Sequence, residues 1–327
     1  MAPASSSRFL AYIGKGPTNI LEELPMAMDL TNCQLCPRRC GVNRAQGELG
    51  RCKAGPVARL ARAALHFWEE PCISGSKGSG TVFFSHCSLG CIFCQNSPVS
   101  SGQIGAEASP AQLAAIFLNL QDEGAHNLNL VTATHYLPQI MEALALARSQ
   151  GFSLPVVYNS SGYECTETID QLQGIVDVFL PDLKYYSPVT ARQYAAAPDY
   201  FATATQAIRR MAEIVGPCQF NADGILTKGL LLRHLVLPGH TEESRKILRW
   251  IKDELPEWVM VSLMGQYLPV AGAVGHPRLG RRLTRREYQS VVDYLLALGL
   301  ENGYCQELTA ASSAYIPAFD LTGVPQP

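Results

Sequence analysis

The sequence predicts an α/β fold with a parallel sheet, and three observations predict it. Six apolar, β-rich runs alternate with segments of helical periodicity. Polar residues collect where those runs stop. A cysteine-rich stretch follows directly on the first run. Strands alternating with helices mean a parallel sheet with crossover helices. Six units are fewer than the eight of a closed barrel. A partial barrel and a doubly wound sheet both fit the residue pattern, and in both a ligand sits at the C-terminal ends of the strands.

Residues 1–60 differ from the rest. They carry Cys33, Cys36, Cys40 and Cys52 in the spacing C-x2-C-x3-C-x11-C, with Gly41, Gly47 and Gly50 among them. Four thiolates in twenty residues, with glycines for tight turns, make a closed tetrahedral site. Zinc and an auxiliary [4Fe–4S] cluster both suit that set. Cys72, Cys165, Cys218 and Cys305 are isolated and read as packing residues.

The glycine-rich stretch Gly75–Thr81 lacks the Lys-Ser/Thr pair of a phosphate loop, so it reads as a turn into the first strand. The strand runs are Thr81–His86, Leu128–Ala133, Pro155–Tyr158, Val176–Leu180, Leu230–Leu237 and Trp258–Leu263. Helices are expected over 110–123, 138–150, 166–173, 189–215, 242–254 and 284–299. Ser109 before Pro110, Thr241, and Thr284 with Glu287 three residues on give their start signals. The expected division is a Cys-rich extension over 1–60, a core over 75–300 and a tail over 301–327.

Composition narrows the function classes. The chain has 327 residues, 47% of them hydrophobic, which is ample for a core. No apolar run is long enough to span a bilayer, and the N-terminus lacks a secretory pattern. A cytosolic protein is expected, in which a count of eleven cysteines argues for metal ligation rather than disulfides. The formal charge of −2 gives no reason to expect nucleic-acid or membrane binding. The basic run Arg281, Arg282, Arg285 and Arg286 reads as a solvated face.

The motif His86-Cys87-Ser88-Leu89-Gly90-Cys91-Ile92-Phe93-Cys94 places three cysteines in the spacing C-x3-C-x2-C. Three thiolates can hold three corners of an iron–sulfur cube. The missing fourth ligand leaves one iron open to a chelating small molecule, as a catalytic zinc keeps one open position. His86 could complete a zinc set, but beside Cys87 it would point to the opposite face of an extended segment. At the strand ends stand Thr132 and Thr134, Asn159 and Ser160, Asp182 and Lys184, Arg233 and His234, and Gln266. Charges in buried strands are costly unless paired or used. Asp182 and Lys184 share a face.

The spacing, with Phe93 before the last cysteine, resembles the cluster motif of the radical S-adenosylmethionine (radical SAM) superfamily. The pattern over 75–270 resembles the activating enzymes of glycyl radical enzymes. It is most similar to a branch, related to the pyruvate formate-lyase activase, that shares the N-terminal cysteine cluster. Phe93-Cys94-Gln95-Asn96, Asn159-Ser160-Ser161-Gly162, Asp182-Leu183-Lys184 and Leu237-Pro238-Gly239 carry this resemblance. It implies a partial (β/α)6 barrel of the TIM type. It implies a [4Fe–4S] cluster on Cys87, Cys91 and Cys94, with SAM filling the open iron. Asn159, Ser160, Asp182 and Lys184 carry over as SAM contacts or nearby cation-site positions, with Phe93 among the cofactor contacts. Gln266 falls where the activase has a histidine. The superfamily's Gly-Gly-Glu is replaced by Thr132-Ala133-Thr134-His135-Tyr136, so Thr132 and Thr134 offer the acceptors for the SAM amino group. His135 reads as a hydrogen-bonded histidine at a helix start.

The resemblance further implies reductive cleavage of SAM to methionine and a 5′-deoxyadenosyl radical that abstracts a hydrogen atom, with flavodoxin or ferredoxin as reductant. SAM cleavage requires no protein acid, base or nucleophile, so no catalytic side chain is named. Cys165, Tyr163, Tyr267 and His240 near strand ends read as packing residues rather than radical relays. Three functions stand: an activase acting on a glycyl radical enzyme, an enzyme acting directly on a small metabolite or peptide, and a non-catalytic iron–sulfur or zinc regulatory or electron-transfer protein. The strand-end polar residues count against the last.

Overall fold

The computed structural model describes residues 28–311 and 316–325. In chain order the elements are β1 (Ala58–His66), α1 (Pro71–Ser74), β2 (Ser79–Phe84), α2 (Ser97–Ser100), β3 (Ala106–Ala108), α3 (Pro110–Asp122), β4 (Leu128–Val131), α4 (Leu137–Ser149), β5 (Val156–Ser160), α5 (Thr166–Asp170), β6 (Val178–Pro181), α6 (Pro188–Ala195), α7 (Tyr200–Val215), β7 (Gln219–Phe220), β8 (Leu226–Leu235), α8 (Thr241–Glu254), β9 (Met260–Met264), α9 (Arg285–Ala297) and β10 (Gly303–Cys305).

The six strands expected from the sequence are β2, β4, β5, β6, β8 and β9. They lie side by side in that order, each parallel to the next. A doubly wound sheet reverses its strand order at a switch point. This sheet does not reverse, which selects the barrel-type winding. The outer strands β10 and β3 end the order without pairing with each other, so the barrel is partial. β1 and β3 extend the β2 edge in antiparallel pairing, and β10 extends the β9 edge in parallel.

Alternation along β2 sorts the layers. Val82 and Phe84 join the large core beneath the helices, whereas Phe83 packs on the inner side with Ala61, Val99 and Val131. The floor is closed by α1. Antiparallel β1 carries the chain down to the N-terminal end of β2, where His66 pairs with Ser79. Cys72 and Ile73 of α1 then pack on Val157, Val178, Leu180 and Leu231.

The start signals hold, with one shift. Ser109 and Thr284 form reciprocal capping boxes with Gln112 and Glu287. Thr241 begins α8 rather than capping it, and His240 takes the cap position. The helix expected over 189–215 is two helices. Ala196 turns left-handed (φ +50°) and closes α6, and Pro198 precedes the start of α7. No helix among the described residues is long and apolar enough to cross a membrane.

The described end of the tail crosses back to β1. Ala63 N–H donates to Thr322 O (2.9 Å) and Leu321 N–H to Ala61 O (3.2 Å), just beyond the stretch of β1 that pairs with β3. A Cβ on Gly323 (φ +70°) would lie 1.9 Å from Ala63 O, so this approach requires glycine. Phe319 meets Phe83 edge-on at 5.3 Å. Over 316–325 the tail thus runs beside β1, and Ile316 and Pro317 line the cleft.

Candidate active site

A cleft of about 250 Å³ lies at the C-terminal ends of the strands. The cluster loop enters it directly after β2. His86 departs from the sequence expectation. It adopts a left-handed backbone (φ +75°), so the alternation rule for an extended segment does not apply, and both His86 and Cys87 line the cleft. The imidazole is buried against Gly102, where a Cβ would lie 2.2 Å from the ring.

Cys87, Cys91 and Cys94 are free thiols that line this one cleft. Burial pushes the Cys91 thiol up to about 12, against the pull of Lys184 and the Tyr185 hydroxyl. Cys94 is raised as well, by burial first and by Cys87 next. A thiol must lose its proton to ligate a metal, so loading this site releases protons. The donor set fits an iron–sulfur cube that takes one thiolate per iron. Phe93 packs edge-on against Tyr185, Tyr194 and Tyr267 at 5.9 to 6.4 Å, which stiffens the loop between the second and third cysteines.

Opposite the cysteines lies a charged network. Lys184 Nζ and Arg233 Nε both donate to the Asp182 carboxylate. Arg233 Nη1 donates to Glu69 (2.9 Å) and Nη2 to Asn159 Oδ1 (2.6 Å), while Asn159 Nδ2 donates back to Glu69 (3.1 Å). Two cations thus face two carboxylates. Burial alone would raise Asp182, but Arg233 and Lys184 overcome it and hold the carboxyl below its ordinary value. Burial works against the Lys184 ammonium, and Asp182 and Cys91 more than compensate. Glu70, beside the network, is raised by burial and has an unpartnered Oε2.

Of the expected cofactor contacts, Phe93, Thr132, Asn159, Ser160, Asp182, Lys184 and Gln266 line the cleft. Thr134 does not. Its hydroxyl is buried, donating to Glu164 Oε1 (2.8 Å) and accepting from Tyr158 (3.0 Å). Thr132 sits at φ +58°, a strained conformation for a β-branched residue, at the position where the superfamily's glycines are expected. His135 is packed away, its Nε2 on Ser85 O (2.8 Å), and burial drives it down to about 3. Cys165, Tyr163, Tyr267 and His240 lie outside the cleft lining. Sequence reasoning missed Glu69, a loop acid with no periodicity around it. Its signal was the charge on Arg233, which needed a partner besides Asp182.

The segment between Cys33 and Cys36 packs on α5, where Thr168 Oγ1 donates to Leu35 O (3.0 Å). Cys33 is buried, Cys36 and Cys52 half-buried and Cys40 exposed. Cys33 N–H donates to Val42 O and Gly41 N–H to Cys33 O, a knuckle that turns the chain back. Cys33 and Cys40 both act on Cys52 electrostatically, and burial raises Cys36. Among the described residues no three His, Cys, Asp or Glu side chains are gathered around the point of a single ion.

The radical SAM superfamily model matches residues 81–251. The chain belongs to the radical SAM superfamily, whose chemistry rests on a [4Fe–4S] cluster and SAM. It is 30% identical over 272 residues to an uncharacterized protein of Methanocaldococcus jannaschii, covering 80% of this chain and 73% of that one. Solved structures that it resembles include SuiB of Streptococcus suis bound to its precursor peptide SuiA (13% identity, TM-score 0.47). That match covers 69% of this chain, which spans 48% of SuiB. Methylornithine synthase is similar at 15% identity and TM-score 0.48, covering 77% of this chain and 74% of that one. A domain of a pyruvate-formate lyase-activating enzyme from Bacteroides vulgatus is similar at 15% identity and TM-score 0.37, covering 53% and 92%.

Proposed function

We propose that Cys87, Cys91 and Cys94 hold a [4Fe–4S] cluster, that SAM binds in the adjoining cleft, and that the protein abstracts a hydrogen atom from a substrate. The observation that carries this is the meeting of three free thiols and a fixed Asp182–Lys184–Arg233 network in one cleft. When bound, the cluster supplies the electron that splits SAM into methionine and a 5′-deoxyadenosyl radical. The chain's own residues bind and orient. Lys184 offers its ammonium to the SAM carboxylate, and Asp182 accepts from the ribose hydroxyls. Asn159, Ser160, Thr132 and Gln266 supply neutral polar contacts, and Phe93 braces the cluster loop. Arg233 and Glu69 hold Asp182 and Asn159 in place rather than meeting SAM.

An activating role toward a glycyl radical enzyme is the first reading of the substrate, with flavodoxin or ferredoxin as electron donor. The wall formed by Ile316, Pro317 and Phe319 favours the second: a small metabolite or short peptide acted on directly. Cys33, Cys36, Cys40 and Cys52 form a second site, for an auxiliary [4Fe–4S] cluster or zinc.

The test is anaerobic incubation of reconstituted protein with dithionite and SAM. Equal amounts of 5′-deoxyadenosine and methionine support the reading. Neither product from protein carrying about four irons per central site would refute it.

A further inference from the structure

Arg38 lies between Cys36 and Cys40, yet its guanidinium is spent entirely outside that loop. Nε donates to Ser88 O (3.0 Å), between Cys87 and Cys91. Nη2 donates to Ala195 O (2.8 Å) and Nη1 to Ala196 O, at the carbonyl end of α6. The guanidinium also lies over the Tyr163 ring at 5.2 Å. The same end of α6 holds the cluster loop directly, since Ile92 N–H donates to Tyr194 O (2.9 Å). The loop bearing the first two cluster ligands is therefore slung between the N-terminal cysteine knuckle and α6. One planar fork fixes three carbonyls from two segments.

That arrangement has a physical consequence. Helix carbonyl ends attract cations, and a guanidinium fork holds geometry that an ammonium cannot. Ser88 is 4% exposed and its neighbour Leu89 1%, so the carbonyl Arg38 serves has little access to water as a substitute. Cys36 and Cys40 flank Arg38, so whatever fixes those two cysteines also fixes where the guanidinium can reach.

We propose that Arg38 is a positioning residue coupling the two cysteine sites: metal at Cys33, Cys36, Cys40 and Cys52 holds Arg38, and Arg38 holds the Cys87–Cys91 loop in ligating geometry. The N-terminal site thereby governs how tightly the central cluster is kept. This rests on the proposed ligation of both sites.

The experiment compares wild type, Arg38→Ala, Arg38→Lys and a Cys40→Ala/Cys52→Ala variant, all anaerobically reconstituted. Two properties are read well below the melting temperature: the electron paramagnetic resonance spectrum of the reduced central cluster, and its rate of iron loss to a chelator. Arg38→Ala should speed that loss about tenfold, the scale seen when residues that orient metal ligands are removed. It should also alter the line shape. Arg38→Lys keeps the charge but loses the fork, and should fall nearly as far. The cysteine variant should reproduce the effect, and combining it with Arg38→Ala should add little. A central cluster unchanged in Arg38→Ala, or unchanged in the cysteine variant, overturns the coupling. An unaltered wild-type signal beside that result leaves the radical SAM reading standing. No central-cluster signal in wild type overturns that reading, and the coupling with it.

Discussion

Asp182 is where the balance of charges in the cleft is decided. It accepts from Lys184 and Arg233 at once, while Arg233 also pairs with Glu69. Asp182→Asn leaves both cations facing a neutral amide. The expected cost is about 3 kcal/mol by denaturant titration, the scale of breaking one side of a buried pair. SAM binding, measured by calorimetry, should weaken together with it. Asp182→Asn that matches wild type in both would remove the network from the account. Glu164 supplies a prediction of opposite sign. Burial raises its carboxyl to about 8, although Thr134, Ser160 and Tyr158 pull it down. An acid raised in the folded state is protonated there and ionised in the unfolded chain. Its contribution is therefore complete below about pH 4 and lost as pH rises toward 8. Glu164→Gln should flatten the fall in stability across that window, by a few kcal/mol at most. A pH–stability curve unchanged by the substitution would contradict the assignment. That Cys87, Cys91 and Cys94 would meet the strand-end polar residues in one cleft was legible in the sequence, because it rests on spacing and strand order. The direction of the His86 side chain was not legible, because φ +75° takes it out of the extended backbone that alternation assumes.

The elements were read well where burial is two-sided. Strands covered on both faces become continuous apolar runs, so β2, β4, β5, β6, β8 and β9 stood out. β1 did not, because Ala58–His66 mixes arginines with alanines and carries no strand signal. Only its pairing with β2 makes it a strand. The break between α6 and α7 was hidden by the run Ala195-Ala196-Ala197, which reads as helix until Ala196 turns left-handed. The turn after β4 carries the element-scale prediction. Thr132 holds φ +58° at the cleft wall while its N–H donates to Asn159 O (2.9 Å). Thr132→Gly removes the strain and restores the small residue of the superfamily's motif. Relief of strain less the entropy of glycine should leave a net gain of about 1 kcal/mol in urea titration. A destabilised variant would mean that the side chain's own contacts outweigh the backbone strain.

At the scale of the whole molecule, a partial barrel leaves one flank open, and the chain covers that flank with its own tail. Ile316 and Pro317 line the cleft and Phe319 sits on Phe83, while Arg62 ties Ala318 and Asp320 to β1. The tail was illegible in the sequence because it has no period of its own and takes its form from the β1 edge. Enclosure protects reactive species from side reactions. Truncation before Ile316 should raise the amount of 5′-deoxyadenosine formed without substrate, while leaving iron content unchanged. Unaltered uncoupled turnover would show that the flank does not enclose the chemistry. The central claim concerns the open corner of the cube. Its most direct measurement is the electron paramagnetic resonance spectrum of the reduced protein, before and after adding SAM. The account predicts a [4Fe–4S]⁺ signal that changes on addition of SAM and disappears when Cys87, Cys91 and Cys94 are replaced by Ala. A central signal indifferent to SAM, or one that survives the triple substitution, would contradict it.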